Sequence, residues 1–410
     1  MKFALINTYC GYGSTGNNVI KNYNRLKKRG HVVKVFYGIR KQQSDNTDFI
    51  YFGNNHLLYT LRYHIDEVLG TMGLLCIIPT LRLISNLKKY KPDIVWVSNL
   101  HGDYVNEYWL LTYLKKSDVM TVYGMPDEYA FLGKCCSVTD CTKFQDEKGC
   151  HKCPNLRSYP RSYLFDNSHI KFRLKQKAYT GFEKIVFRSA PYVIGNARKS
   201  TLLRGKEMYE SDSSVDTENI FYPRDPQKLR EKYSLNENTR VILICAPYKE
   251  PLKGVQYLID AAKECIDEDI FFLNVSFGAD PSICPSNYIP LPYERDKNVL
   301  AEYYSLADAY VCTSLSDAQP NTCLEALACG TPIIGFNISG VPYIAPNEFG
   351  TFVEPKNSHM LADAIKSTTR KTPESISRCR EYARNRFSIE ASESRYDSFL
   401  KEVCEKATAK

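Results

Sequence analysis

From Val241 onward the chain follows a strict alternation. Short β-branched and aromatic runs, Val241–Cys245, Phe271–Ser276, Ala309–Thr313 and Pro332–Phe336, are separated by helix-length segments, Gly254–Cys265, Asp296–Leu306 and Asn321–Cys329. A strand that leads through a helix into its neighbour returns parallel to it, because the crossover takes a dozen or more residues. The alternation therefore predicts a parallel sheet with helices packed on its faces.

The N-terminal half uses the same grammar less regularly. Lys2–Thr8 reads as a strand running into Gly11-Tyr12-Gly13-Ser14-Thr15-Gly16, after which Val19, Ile20, Tyr23 and Leu26 recur at helical spacing until Gly30. Val32–Tyr37, Asp93–Ser98, Val119–Tyr123 and Tyr192–Ile194 read as further strands. Residues 127–165 break the rhythm with Cys, Gly, Pro and charge, as an insertion would. Between Ser211 and Asn219 apolar residues nearly vanish, which marks a linker. The expected division is an N-terminal domain over 1–215 carrying the 127–165 insertion, a C-terminal domain over 216–388, and a final helix over 389–410 that could pack back on the first. A chain of 410 residues, 43% hydrophobic, is long enough for two such cores.

Composition narrows the setting. No apolar stretch reaches the roughly 18 residues of a membrane span, and the start of the chain lacks the layout of a secretion signal. Fifteen cysteines, an odd number, fit a reducing compartment, so a cytoplasmic protein is expected. The net charge of +8 lies in clusters such as Lys27-Lys28-Arg29, Lys88-Lys89-Tyr90-Lys91 and Lys115-Lys116 near predicted helix ends. Solvated helix ends account for most of that charge, and attraction to an anionic membrane surface or acceptor is the alternative. Nucleic acid is a poor fit, because no aromatic-basic interleaving accompanies the charge.

The chemistry concentrates in Ser314–Pro332. A strand ends near Ser314, a loop carries Asp317, and Asn321 or Thr322 stands where a residue could cap the next helix. Backbone amides at such a helix start attract anions, so a diphosphate is the expected ligand. Glu325, one turn further on, could accept hydrogen bonds from ribose hydroxyls, and Asp317 from a sugar. The bland reading of the same segment is a capped helix with acidic residues near its positive end.

This segment resembles the E-x7-E region of retaining GT-B glycosyltransferases of family 4, with Asp317 in place of the first Glu. The run PNTCLEALACGTPIIGF, followed by Ser339-Gly340-Val341-Pro342, resembles the capsule, colanic acid and exopolysaccharide subgroup. Pro251-Leu252-Lys253-Gly254 resembles the element whose lysine contacts the donor diphosphate. Lys249 is a weaker candidate where relatives often carry an arginine. The 11–16 loop, with Gly13 and Gly16, resembles the subgroup loop that approaches donor phosphate. Asn99-Leu100-His101-Gly102 resembles an element in which His101 could bind acceptor hydroxyls or relay a proton. Where relatives place a His-Asp pair before Ala130–Gly133, this chain has Pro126-Asp127, which leaves Asp127 to bind the acceptor or stabilise charge on the sugar.

Cys135, Cys141, Cys150 and Cys153 are spaced C-x5-C-x8-C-x2-C, and GCHKCPNL resembles a cysteine cluster of the same subgroup. A structural zinc ion is one reading, free or paired thiols the other. No cofactor is expected to be required for catalysis.

The resemblance implies an α/β protein of the GT-B fold, with two Rossmann-like doubly wound domains facing a central cleft. It implies a retaining, hexosyl-type transferase that moves a sugar from a UDP- or GDP-sugar to a saccharide or lipid-linked saccharide in cell-surface polysaccharide biosynthesis. Peripheral contact with the cytoplasmic face of the membrane would accompany such an acceptor. The rival readings are a nucleotide-sugar 2-epimerase of the same architecture and a non-catalytic sugar-nucleotide-binding subunit.

Overall fold

The computed structural model describes residues 1–41, 45–138, 141–276 and 280–409. They form two compact units: one comprises Met1–Ser189, Val193–Glu210 and residues from Asp397 onward, the other Ala190–Tyr192 and Ser211–Tyr396.

In the first unit, β1 (Lys2–Asn7), β2 (Val32–Tyr37), β3 (Phe49–Tyr51), β4 (Ile94–Val97), β5 (Met120–Gly124), β6 (Ile185–Ser189) and β7 (Glu207–Glu210) form one sheet in the order β3-β2-β1-β4-β5-β6-β7. All its pairings are parallel, with Phe3 opposite both Val33 and Ile94 in the centre. The central strand is apolar without alternation, and Phe3 to Ile6 are fully buried, because helices cover both faces. Helix Gly13–Lys28 turns Val19, Tyr23 and Leu26 inward and ends in Arg25, Lys27 and Lys28, where cations suit the negative end of its dipole. At the end of the chain, Phe399 meets Trp96 and Tyr209 edge-on, at centroid distances of 5.8 and 4.8 Å.

In the second unit, β8 (Arg240–Ile244), β9 (Ile270–Val275), β10 (Tyr288–Leu291), β11 (Ala309–Cys312), β12 (Ile333–Phe336) and β13 (Gly350–Val353) run in the order β10-β9-β8-β11-β12-β13, again all parallel. Alternate residues of β8 feed two separate cores. Val241 and Leu243 pack with Tyr304, Leu324 and Leu327, whereas Ile242 and Ile244 pack with Leu258, Ile259 and Leu361.

Both sheets reverse their winding beside the first strand, between β1 and β4 and between β8 and β11. At such a switch point the two following loops leave in opposite directions and open a crevice at the carboxyl ends of the strands.

One expected strand is corrected. Tyr192–Ile194 lies in a helix, Pro191–Lys199, and the strand is Ile185–Ser189 just before it. Val193, Ile194 and Ala197 are all buried, a helical spacing, and Pro191 suits a first helical turn, where no backbone donor is needed.

Candidate functional site

At the second switch point, the loop after β8 closes with a 3-10 turn, Pro251–Lys253, and Gly254 at φ 65°. A Cβ on Gly254 would come within 2.3 Å of the Thr313 carbonyl oxygen, so glycine lets this loop press against the one after β11. Two hydrogen bonds stitch them together: Thr313 Oγ1 donates to the Lys253 carbonyl at 2.8 Å, and Leu315 N to the Leu252 carbonyl at 2.8 Å. The outcome is an ion pair, Lys253 Nζ to Asp317 Oδ2 at 3.1 Å, with the side chains 32% and 23% exposed.

The Asp317 loop is held from a third side. Gly340 N donates to the Asp317 carbonyl at 2.8 Å, and a Cβ on Gly340 would sit 1.8 Å from the Ala318 carbonyl oxygen. Helix Asn321–Ala328 then begins. Its N-cap is Pro320, and no side chain caps it, which corrects the capping role expected of Asn321 or Thr322. Pro320 is fixed in an extended conformation at φ −66° and ψ 117°, so Asn321 and Thr322 become the first helical residues, with their amides directed out of the helix start. Asn321 is exposed, and Thr322 shares a hydrogen bond with the buried Tyr310.

Glu325 lies one turn in. Tyr304, itself fully buried, donates its hydroxyl to Glu325 Oε2 at 2.9 Å. Burial pushes the Glu325 carboxyl up to about 6, a rise that the Tyr304 hydrogen bond and the nearby Lys297 limit. Lys249 is exposed on the preceding turn.

In the first unit, the glycine loop is tied by Asn7, whose side-chain amide donates to the carbonyls of Tyr9 at 2.8 Å and Thr15 at 3.1 Å. Gly13 has φ 64°, and a Cβ on Gly16 would lie 3.2 Å from both Gly11 N and Tyr9 Cβ. Across the switch point, Thr8 Oγ1 lies 3.3 Å from the His101 carbonyl that follows β4. His101 Nε2 is 2.7 Å from Asp127 Oδ2, on the loop after β5, and its Nδ1 is 3.1 Å from the Tyr159 hydroxyl. His101 and Asp127 thus meet across the loops that follow β4 and β5.

Cys135, Cys141, Cys150 and Cys153 line one cavity with His151 and Phe144. The Cys135 and Cys153 sulfurs are 4.0 Å apart, and Gly133 N donates to Cys150 Sγ at 3.2 Å. No three of these four sulfurs lie within 4.8 Å of one another. Among the described residues, the group whose three candidate ligand atoms all lie within 4.8 Å is instead His101, Asp127 and Cys136.

Tyr304 and Tyr159 are contributors that sequence reasoning did not single out. Each lies on an element with no motif of its own, and only the tertiary contact reveals its partner.

Residues 290–386, which include Asp317, Asn321, Thr322 and Glu325, match the family described as "Glycosyl transferases group 1". Among curated proteins, the chain is 25% identical over 136 residues to N-acetyl-alpha-D-glucosaminyl L-malate synthase of Bacillus anthracis, covering 31% of this chain and 35% of that one. It is 25% identical over 159 residues to D-inositol 3-phosphate glycosyltransferase of Corynebacterium glutamicum, covering 35% and 38%. The chain thus spans little more than a third of the length of these relatives. Solved structures match along the whole chain. Sucrose-phosphate synthase from Thermosynechococcus elongatus superposes with a TM-score of 0.64 at 16% identity, covering 98% of this chain and 99% of that one. Anabaena HepE in complex with UDP gives a TM-score of 0.61 at 14% identity, covering 98% and 100%. The chain therefore has the GT-B fold, two Rossmann-like units in tandem, and residues 290–386 of its second unit match the group 1 glycosyl transferases.

Proposed function

We propose that this protein is a retaining glycosyltransferase, transferring a hexosyl group from a nucleoside diphosphate sugar to a saccharide or lipid-linked saccharide in cell-surface polysaccharide assembly. The observation that carries the reading is the Lys253–Asp317 ion pair beside the uncapped start of helix Asn321–Ala328. An ammonium and first-turn amides converging at a switch point form a receptor for a diphosphate.

In this reading Lys253 and the amides of Asn321 and Thr322 hold the diphosphate and stabilise the negative charge that builds on it as the sugar departs. Glu325, positioned by Tyr304, accepts from the ribose hydroxyls, and Asp317 from the sugar. Lys249 assists at the phosphates. The departing phosphate oxygen takes the acceptor's proton on the same face, so configuration is retained. The His101–Asp127 pair serves the acceptor, with Asp127 orienting the imidazole through its 2.7 Å contact.

Anabaena HepE, which shares the fold, was solved with UDP, and this makes uridine diphosphate sugars the first donors to try. The test is a thermal-shift screen of nucleotide sugars, followed by release of nucleoside diphosphate with and without saccharide acceptors. A donor that raises the melting temperature and turns over only with acceptor supports the reading. Turnover to an altered sugar without acceptor would indicate an epimerase instead, and unchanged donor affinity in Lys253→Ala and Glu325→Ala would remove the site assignment.

A further inference from the structure

The helix His56–Leu69 in the first unit is inside out. Its charged residues face the protein: Asp66 is fully buried, Arg62 donates to the Asp103 carbonyl, and Thr71 donates to Asp66. Its apolar residues face outward. Leu57, Leu61, Ile65 and Val68 recur at helical spacing and are 76%, 58%, 41% and 41% exposed. Asn55 caps the helix, accepting from Leu58 N at 2.9 Å, and Gly70 ends it in the left-handed conformation, so this is a complete, well-ended helix.

The apolar surface continues past the helix end. Leu164 N donates to the Val68 carbonyl at 2.9 Å and Tyr163 N to the Glu67 carbonyl at 3.0 Å, which sets the exposed Leu164 and Phe165 beside it. The next helix in the chain, Ile77–Tyr90, also opens with Ile77, Ile78 and Leu81 exposed. Monomeric proteins rarely leave so broad an apolar surface in water.

Charge identifies the occupant. In 55–82 and 157–170, no Asp or Glu is exposed, whereas Arg82, Arg157 and Arg161 are. Arg157 lies over the Tyr163 ring at 5.0 Å, and Arg161 is 3.5 Å from the Tyr163 hydroxyl, an aromatic-cation pairing suited to the headgroup level of a bilayer. Two copies meeting through this face would bring these arginines together with only the half-buried Glu67, already 3.8 Å from His64, to pair them. Anionic phosphates would satisfy the same cations while acyl chains cover the leucines. No helix among the described residues is long and apolar enough to cross a membrane. The lysine clusters are less suited: Lys115 is committed to the carbonyls of Lys177 and Thr180, and Lys27 pairs with Asp48.

We propose that the outward apolar face of helix His56–Leu69, with Leu164–Phe165 beside it, docks in the plane of an anionic phospholipid surface. The proposal does not depend on the transferase reading. Full-length protein is tested by co-sedimentation with phosphatidylcholine vesicles containing about 30% phosphatidylglycerol, and with vesicles lacking it, at about 0.15 M salt. Wild type should sediment with the anionic vesicles. Leu61→Ser with Ile65→Ser should weaken partition at least about tenfold at unchanged melting temperature, since both side chains are already exposed. Arg157→Gln with Arg161→Gln should weaken binding to anionic vesicles only. Equal partition of wild type and the Leu61/Ile65 variant would overturn the proposal. So would a lipid-free dimer that this variant converts to monomer, which would assign the face to a second copy.

Discussion

Lys253 Nζ lies 3.1 Å from Asp317 Oδ2, joining the loops that follow β8 and β11. Both side chains are partly exposed, so solvent screens the pair and its direct share of stability is small. Its meaning is electrostatic: without a ligand, Asp317 already neutralises the cation that a diphosphate would use.

A competition follows. Asp317→Asn should bind inorganic pyrophosphate about threefold to tenfold more tightly than wild type, because Lys253 is freed while one negative charge leaves the site. The same variant should lose turnover if Asp317 holds the sugar. Lys253→Ala should lower kcat/KM at least about a hundredfold. Calorimetry with pyrophosphate separates these effects from chemistry, and tighter binding by Lys253→Ala would contradict the arrangement.

Donor affinity should depend on pH through Glu325. Its carboxyl is raised to about 6 by burial, so below that value a growing fraction is protonated and loses acceptor capacity. Ribose hydroxyls favour the ionised form. The dissociation constant of the nucleoside diphosphate sugar, whose substituted phosphates do not titrate in this range, should therefore rise as pH falls through about 6, approaching tenfold per unit. Glu325→Gln should flatten this profile, and Tyr304→Phe, which removes the donor to Oε2, should move its midpoint upward. A pH-independent wild-type affinity between about 5 and 7, one unit either side of that value, would be the contrary result.

Much of the sheet was legible because strands buried on both faces must be continuously apolar, as Phe3–Ile6 and Val241–Ile244 are. The edge strands Glu207–Glu210 and Tyr288–Leu291 escaped detection, since half-buried sequences such as EMYE and YIPL carry little apolar signal. The 314–332 segment was readable because helix start, loop and acidic residues are contiguous there. The His101–Asp127 contact was not, because it joins residues 26 apart on two loops whose approach depends on the strand order β4-β5. Nor was the outward face of His56–Leu69: periodicity gives an apolar stripe but not the side it faces.

The cysteine cavity yields a stoichiometric prediction. Protein prepared without chelators should carry about one zinc per chain, released in step with modification of the cavity thiols. Cys150→Ser with Cys153→Ser should abolish the metal and lower the melting temperature, because metal binding to such a loop is folding energy. The rival site is separable: Cys136→Ser would leave the zinc content unchanged. Metal-free wild-type protein with all four cavity thiols reacting freely would support the thiol reading instead.

Beneath the outward-facing helix, Asp103 and Asp66 are buried together, and Gly73 N donates to Asp103 Oδ1 at 2.6 Å. Burial, with the Asp66 charge beside it, pushes the Asp103 carboxyl up to about 8 from an ordinary value of 3.8. Between those two pH values the folded state holds a proton that the unfolded chain releases, so this group makes stability fall as pH rises from about 4 to 8. Asp103→Asn mimics the protonated carboxyl, keeps an oxygen for Gly73 N, and offers Asp66 a donor. Its melting temperature should approach or exceed that of wild type by about 5 °C more at pH 8 than at pH 5. Asp103→Leu, which removes both hydrogen bonds, should be destabilised at every pH. A wild-type minus Asp103→Asn difference that stays constant across this range would show that Asp103 is ionised in the folded protein at neutral pH.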